Sequence, residues 1–165
     1  MNGPILSIIT VNFNNNLGLL KTLESVSSQS FSSYEHIIID AGSTDGSRET
    51  IIQYEKENPH LSFWSSESDK GIYDGMNKGI DHAKGQYLYF LNSGDCLSQD
   101  ILAKIPFDGT EYLYGDTILF YKRKTKKRVY PDTLDLIYLS DNSLHHQSCF
   151  IHHTLFKDKR YDINY

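Results

Sequence analysis

The sequence predicts an α/β domain: a Rossmann-like, mostly parallel sheet with helices on both faces and a smaller antiparallel extension. Three observations carry that expectation. The apolar runs at residues 5–11, 37–39 and 86–91 are continuous rather than alternating, as in strands covered on both faces. Segments of helical periodicity separate them. The resulting order β-α-β-α-β-α-β calls for right-handed crossovers, and so for parallel strands.

Residues 5–11, ILSIITV, make the first strand. In residues 17–28, Leu19, Leu20, Leu23 and Val26 fall on one helical face. Ile37 to Ile39 form a second strand ending at Asp40 and a turn-rich loop. A helix from about Ser47 to Glu57 follows, with Asp45 or Ser47 as N-cap and Pro59 beyond its end. LSFWSS at 61–66 is a weaker third strand. Residues 72–84 place Ile72, Met76, Ile80 and Ala83 on one stripe, and Gly85 supplies a stop. QYLYFLNSGD, from residue 86, is the fourth strand and its exit loop. From about residue 106 the texture changes. Two strands at 112–121 and 127–130, joined by a basic turn, and a further strand in HHQSCFIHH at 145–153 are expected beside the first half. The chain stops at KRYDINY with no cap, polar tail or breaker, so a cut within the fold is expected there.

The chain has 165 residues, enough for one ordinary domain with one sizeable core. Its 39% hydrophobic and 22% charged residues are those of a globular protein. A net charge of −5 argues against a general nucleic-acid binder. Twelve Tyr and eight Phe predict aromatic-rich interior and site surfaces. Cys96 and Cys149 lack CxxC spacing and read as reduced thiols. No signal peptide and no spanning segment is recognisable, which points to a cytoplasmic protein.

In open α/β sheets, ligands bind beyond the carboxyl ends of the strands. Four loops fall there: NFNN, DAGSTDGS, ESDKG and NSGD, each polar and rich in small residues. Any one of them reads as a structural turn, and their convergence on one edge is the stronger signal. No G-x-G-x-x-G follows the first strand and no G-x-x-x-x-G-K-[ST] occurs, which disfavours a dinucleotide site and a P-loop. Asp40 suits the imide N–H of a uracil or another base N–H. Asp95 suits a divalent cation that neutralises a diphosphate, because hard cations take carboxylate and phosphate oxygen together. Alternatively, Asp95 caps a helix beginning near Ser98.

SIITVNFNN, IIIDAGSTDGS, SESDKGIYDGMNKGI and GQYLYFLNSGDCL, in this order and spacing, resemble the N-terminal half of a family 2 glycosyltransferase of GT-A fold. The resemblance runs from Leu6 to Leu97 and continues more loosely through the hairpin after YLYGD and HHQSCFI. It implies inverting transfer from a nucleotide-sugar donor, UDP-linked, to a glycan or lipid-linked acceptor, assisted by Mn²⁺ or Mg²⁺. It further implies that Thr10, Asn12, Phe13, Asp40 and Ser43 form the nucleoside pocket. Asp69 and Lys70 would reach the uracil, ribose or phosphates, and Asn92, Ser93 and Asp95 the diphosphate and metal. NSGD stands where the family has D-x-D, so Asn92 and Gly94 replace common acids. One domain is expected over 1–165, with 1–105 as the nucleotide-binding half and 106–165 as the antiparallel, acceptor-side part.

Several residues keep two readings. Asp74 and Asn77, one helical turn apart, either line the donor-sugar pocket or form a polar helix face. Phe13 either stacks on a base or belongs to the core. His146 and His152 would share a strand face, but no Cys or acid completes a zinc set. The resemblance instead puts His146 and Gln147 beside donor and acceptor. Lys122 to Arg128 carries six basic residues in seven positions. It is either a solvated hairpin turn or a site for an anionic acceptor at the membrane face.

An inverting transfer also needs a general base. Asp141, Asp158 and Asp162 stand in no matching context, so the base is expected beyond Tyr165 and the chain is expected to be weak or inactive alone. The second function class is a non-catalytic nucleotide-binding module. A nucleotidyltransferase is a remote third, disfavoured by the absence of a Gly-rich, Arg- and Lys-bearing loop after the first strand.

Overall fold

A computed structural model describes residues 3–121 and 124–164. Eight strands and four α-helices are described: β1 Leu6–Asn12, α1 Asn16–Ser27, β2 Tyr34–Asp40, α2 Ser47–Glu57, β3 Leu61–Ser66, α3 Ile72–His82, β4 Tyr87–Phe90, β5 Tyr112–Tyr114, β6 Thr117–Tyr121, β7 Lys124–Arg128, α4 Leu136–Asp141 and β8 Cys149–His152. Six strands form one sheet in the order β3-β2-β1-β4-β8-β5, and β6 and β7 form a separate pair. The first four strands of that order run parallel; β8 is antiparallel to β4, and β5 to β8.

The continuous apolar runs have the physical cause expected of them. In β2, Ile37 and Ile39 pack with Met76 and Ile80 of α3, whereas Ile38 packs with Leu19, Leu23 and Ile51 of α1 and α2. Both faces are therefore covered, and every residue of β1 and β2 is buried. The helix stripes differ in detail from the expectation. Leu20 is exposed, and Thr22 takes the buried position on α1. Ile72 is also exposed, while Gly75 and Gly79 face the sheet. A Cβ on Gly79 would stand 2.4 Å from Ile9 Cγ2, so only a missing side chain lets α3 lie this close to β1. The loop before α2 is capped by Asp45, whose Oδ1 accepts the Ser47 N–H at 3.2 Å and hydroxyl at 2.6 Å; the residue next to the helix is Gly46, at φ 92°.

The second half departs more from expectation. The run 112–121 is broken at Gly115 and Asp116 into β5, which joins the large sheet, and β6, which does not. The basic segment is largely strand rather than turn, since β7 occupies 124–128 instead of 127–130. Lys122 and Arg123 lie outside the described residues. His146 sits in a short 3₁₀ turn, His146–Ser148, so it shares no strand face with His152. A 3₁₀ turn at Leu102–Lys104 takes the place of the helix expected near Ser98. Cys96 is exposed and Cys149 buried, both as free thiols. Among the described residues no helix is long and apolar enough to cross a membrane.

Candidate nucleotide-sugar site

The chain runs β1 to β2 to β3 on one side, then returns to place β4 on the other side of β1. This reversal opens a crevice at the carboxyl ends of the strands. There lies a cavity of about 500 Å³ lined by Val11, Asn12, Phe13, Ala41, Ser68, Asp69, Gly71, Ile72, Asn92 and Ser93. All four loops singled out in the sequence contribute to it.

The register brings Asn12 level with Asp40. Asp40 is fully buried, and its carboxylate takes four donors. Oδ1 accepts from Asn12 Nδ2 at 2.7 Å and Ser43 Oγ at 2.5 Å, and Oδ2 from the Ser43 N–H at 2.9 Å and Ser66 Oγ at 2.6 Å. Burial pushes its pKa up, but these hydrogen bonds outweigh that and hold it below the ordinary carboxylate value. Asp40 thus has neither exposed surface nor a spare lone pair for a base N–H. Its part is to hold Asn12 and Ser43. Ser43 in turn accepts the Asn14 N–H at 2.8 Å, and Asn14 Oδ1 accepts the Thr44 N–H at 2.9 Å, lacing the first two loops together.

Thr10 lies outside the cavity. Its hydroxyl is buried in the core, donating to the Leu91 carbonyl at 2.8 Å and meeting His36 Nε2 at 2.9 Å. Since that proton goes to Leu91, His36 Nε2 must be the donor to Thr10. His36 Nδ1 then accepts from Tyr54 Oη at 3.0 Å, and Tyr54 accepts from Asn58 Nδ2 at 2.7 Å. A fully buried neutral imidazole thus links the end of α2 to the strand end that carries NSGD.

Phe13 is 62% exposed on the cavity wall, which removes its core reading. Asp69 Oδ1 accepts the Gly71 N–H at 2.9 Å, while Oδ2 is buried without a partner. Asn12 Oδ1 and Asn92 Oδ1 are likewise buried and unpaired. Three wall residues therefore each carry an unsatisfied acceptor, a state that costs free energy until a donor or cation arrives. Lys70 is exposed beside this wall, its backbone N–H bonded to Asp74 Oδ2 at 3.1 Å. Asp74 also faces Lys78 at 3.7 Å. Asn77 turns elsewhere: its amide exchanges two hydrogen bonds with the Tyr161 backbone, both at 2.9 Å, and so fastens residue 161 to α3 rather than lining the cavity.

NSGD is a tight turn, with the Asp95 N–H bonded to the Asn92 carbonyl at 2.9 Å and Gly94 at φ 102°, which a side chain would disfavour. The 3₁₀ turn at His146 holds it from one side. Asn92 Nδ2 meets His146 Nε2 at 3.1 Å, and Gln147 Nε2 donates to Asp95 Oδ2 at 3.0 Å. Burial, reinforced by His145, lowers the pKa of His146 despite the nearby Asp95 carboxylate, keeping Nε2 free to accept. From the other side Thr22 donates to the Asp95 carbonyl at 2.7 Å and accepts the Gly94 N–H at 3.0 Å, and Asn15 donates to the Ser93 carbonyl at 2.9 Å. Thr22 and Asn15 were not singled out in the sequence. Asn15 had a readable signal as an Asn before a helix, and its Oδ1 does cap α1 by accepting the Gly18 N–H at 3.2 Å. Thr22 had none, because a Thr within an apolar helix face reads as filler.

Among the described residues no three His, Cys, Asp or Glu side chains converge as a metal site. A hard cation nevertheless suits the turn. Asp95 offers the oxygen that Gln147 does not take, and Asn92 has its unpaired carbonyl three residues away. The four histidines of 145–153 scatter instead: His152 packs on Tyr87, His153 bonds the Gln86 carbonyl, and the His145 N–H bonds Tyr130.

The family described as Glycosyl transferase family 2 matches residues 7–154. The chain belongs to this family. A Mycobacterium tuberculosis relative named as uncharacterized glycosyltransferase Rv1514c is 42% identical over 103 residues, covering 61% of this chain and 38% of its own length. This chain thus spans well under half of that relative. Among solved structures, S. aureus TarS 1–349 superposes with a TM-score of 0.75 at 18% identity, over 96% of this chain and 50% of that one. The same TarS fragment has been solved with UDP and with UDP-GlcNAc. A mannosyltransferase from Pyrobaculum calidifontis, solved with GDP-Man and Mn²⁺, gives a TM-score of 0.55 at 18% identity over 60% of this chain and 30% of its own. These structural likenesses show the GT-A fold.

Proposed function

We propose that the cavity holds the nucleoside of a nucleotide-sugar donor, UDP-linked, whose sugar is transferred with inversion to a glycan or lipid-linked acceptor. The observation that carries this reading is the cavity at the strand ends, bounded by all four loops and walled by the polar residues Asn12, Ser68, Asp69 and Ser93, which suit base N–H groups and ribose hydroxyls. Phe13 supplies an exposed ring for the base to stack on, and Lys70 a charge toward the phosphates. Asn92, Ser93 and Asp95 would hold Mn²⁺ or Mg²⁺ against the diphosphate, where the cation supplies charge neutralisation for the leaving group. His146 and Gln147 keep that turn in shape, with Asp74 beside the donor. Such a protein would work in the cytoplasm, at the inner face of the membrane.

A second reading, a nucleotide-binding module that transfers no sugar by itself, is favoured by the positions of the remaining acids. Asp141 ends α4, Asp158 is exposed and Asp162 bonds Asn164, and none of the three lines the cavity.

Thermal unfolding with UDP, GDP and ADP, each with and without Mn²⁺, tests the proposal. A ligand at 100 times its Kd adds ~2.7 kcal/mol, roughly 5–10 °C for a domain of this size. UDP with Mn²⁺ is expected to stabilise the wild type, and Asp95→Ala to remove the metal-dependent part. No shift with any nucleotide would overturn the reading. Transfer of labelled sugar by the 165-residue chain would eliminate the second reading.

A further inference from the structure

We propose that the β6–β7 hairpin seats the protein on an anionic lipid surface. The hairpin stands apart from the main sheet and exposes Phe120 by 80%, Tyr121 by 60% and Ile118 by 44%. Cross-strand pairing puts apolar and cationic side chains on both faces of the hairpin: Ile118 and Phe120 share one with Thr125 and Lys127, and Tyr121 shares the other with Lys124 and Lys126. Lys127 is paired with Asp116 at 2.8 Å, and Arg128 lies 5.7 Å from the Tyr130 ring centroid. Lys124 and Lys126 are exposed and have no ion pair among the described residues. On α4, Leu136 is 86% and Ile137 78% exposed, and Arg128 Nη2 of β7 bonds Asn142 Oδ1, at the end of that helix, at 3.3 Å.

Charge complementarity selects the occupant. The chain carries −5 in total, yet residues 122–128 hold six cations, so everything outside those seven positions sums to −11. An anionic bilayer attracts the hairpin and repels the rest, which orients the molecule. Exposed aromatic and aliphatic side chains interleaved with lysines suit a headgroup boundary, where rings and butyl stems enter the interface while ammonium groups stay in water. Hairpin-on-hairpin pairing of two copies would instead press like charges together. This inference does not depend on the sugar-transfer reading.

Flotation with vesicles of phosphatidylcholine alone, and of phosphatidylcholine with phosphatidylglycerol, tests it. Recovery is expected with the anionic vesicles alone and should fall with added salt. Each of Lys124→Ala and Lys126→Ala should lower partitioning about fivefold. Phe120→Ser with Tyr121→Ser should weaken it further at unchanged charge. All four side chains are exposed, so the thermal midpoint of the variants should match the wild type. The proposal is overturned if anionic vesicles recover no protein, if the aromatic pair can be replaced without effect, or if those substitutions dissolve a dimer instead.

Discussion

Acidification should unfold this protein earlier than its carboxylates require, and His36 is the reason. The imidazole is fully buried and both ring nitrogens are used in the chain from Tyr54 to Thr10. Burial pushes its pKa down to about 3, from 6.5 in an accessible chain. The unfolded state therefore binds a proton that the folded state refuses. Stability from this group is intact above pH 6.5 and is lost as the pH falls from there toward the folded value. Between pH 7 and pH 5 the loss is about 2 kcal/mol, and any folded pKa below ~4 yields the same figure, since His36 is then still neutral at pH 5. The matching variant is His36→Gln, whose amide can accept from Tyr54 and donate to Thr10 without titrating. Urea unfolding at both pH values reads the difference. The wild-type midpoint should drop by about 1 M more than that of the variant, for an m-value near ~2 kcal/mol/M. Because carboxylates and other histidines titrate in both proteins, the comparison isolates this ring. Equal drops in the two proteins would refute a buried neutral His36.

Two further substitutions test how the site is held. Gly79→Ala should destabilise by about 1–3 kcal/mol, because the methyl meets Ile9 at 2.4 Å and this outweighs the ~1 kcal/mol gained in helix propensity; the urea midpoint measures it. Thr22→Val keeps the shape but leaves the Gly94 N–H and Asp95 carbonyl without their partner, at a cost of about 1–3 kcal/mol, and should also weaken any nucleotide-induced thermal shift.

The parts of the fold that were legible in the sequence are those fixed by local pattern. The span of α2, Ser47–Glu57, follows from Asp45 before it and Asn58-Pro59 after it, and β1, β2 and β4 follow from runs of apolar residues that only a doubly covered sheet can bury. The loops that meet at the cavity were legible too, because strand order alone puts their ends on one edge. Tertiary contact decided what each residue does there. Thr10 and Asp40 looked like ligand contacts, yet one lies within the core and the other is saturated by donors from β1, β3 and its own loop. Asn77 suits either a sugar contact or a polar helix face by its spacing, and it ties down residue 161, whose separation of 84 positions no local pattern reports. The segment 112–130 shows the same limit, since a continuous β-prone run does not say which sheet each half will join. Composition and spacing determine which residues can reach the strand ends of this sheet. Which of them keep a free lone pair there depends on partners distant in sequence, and only the folded chain brings those partners together.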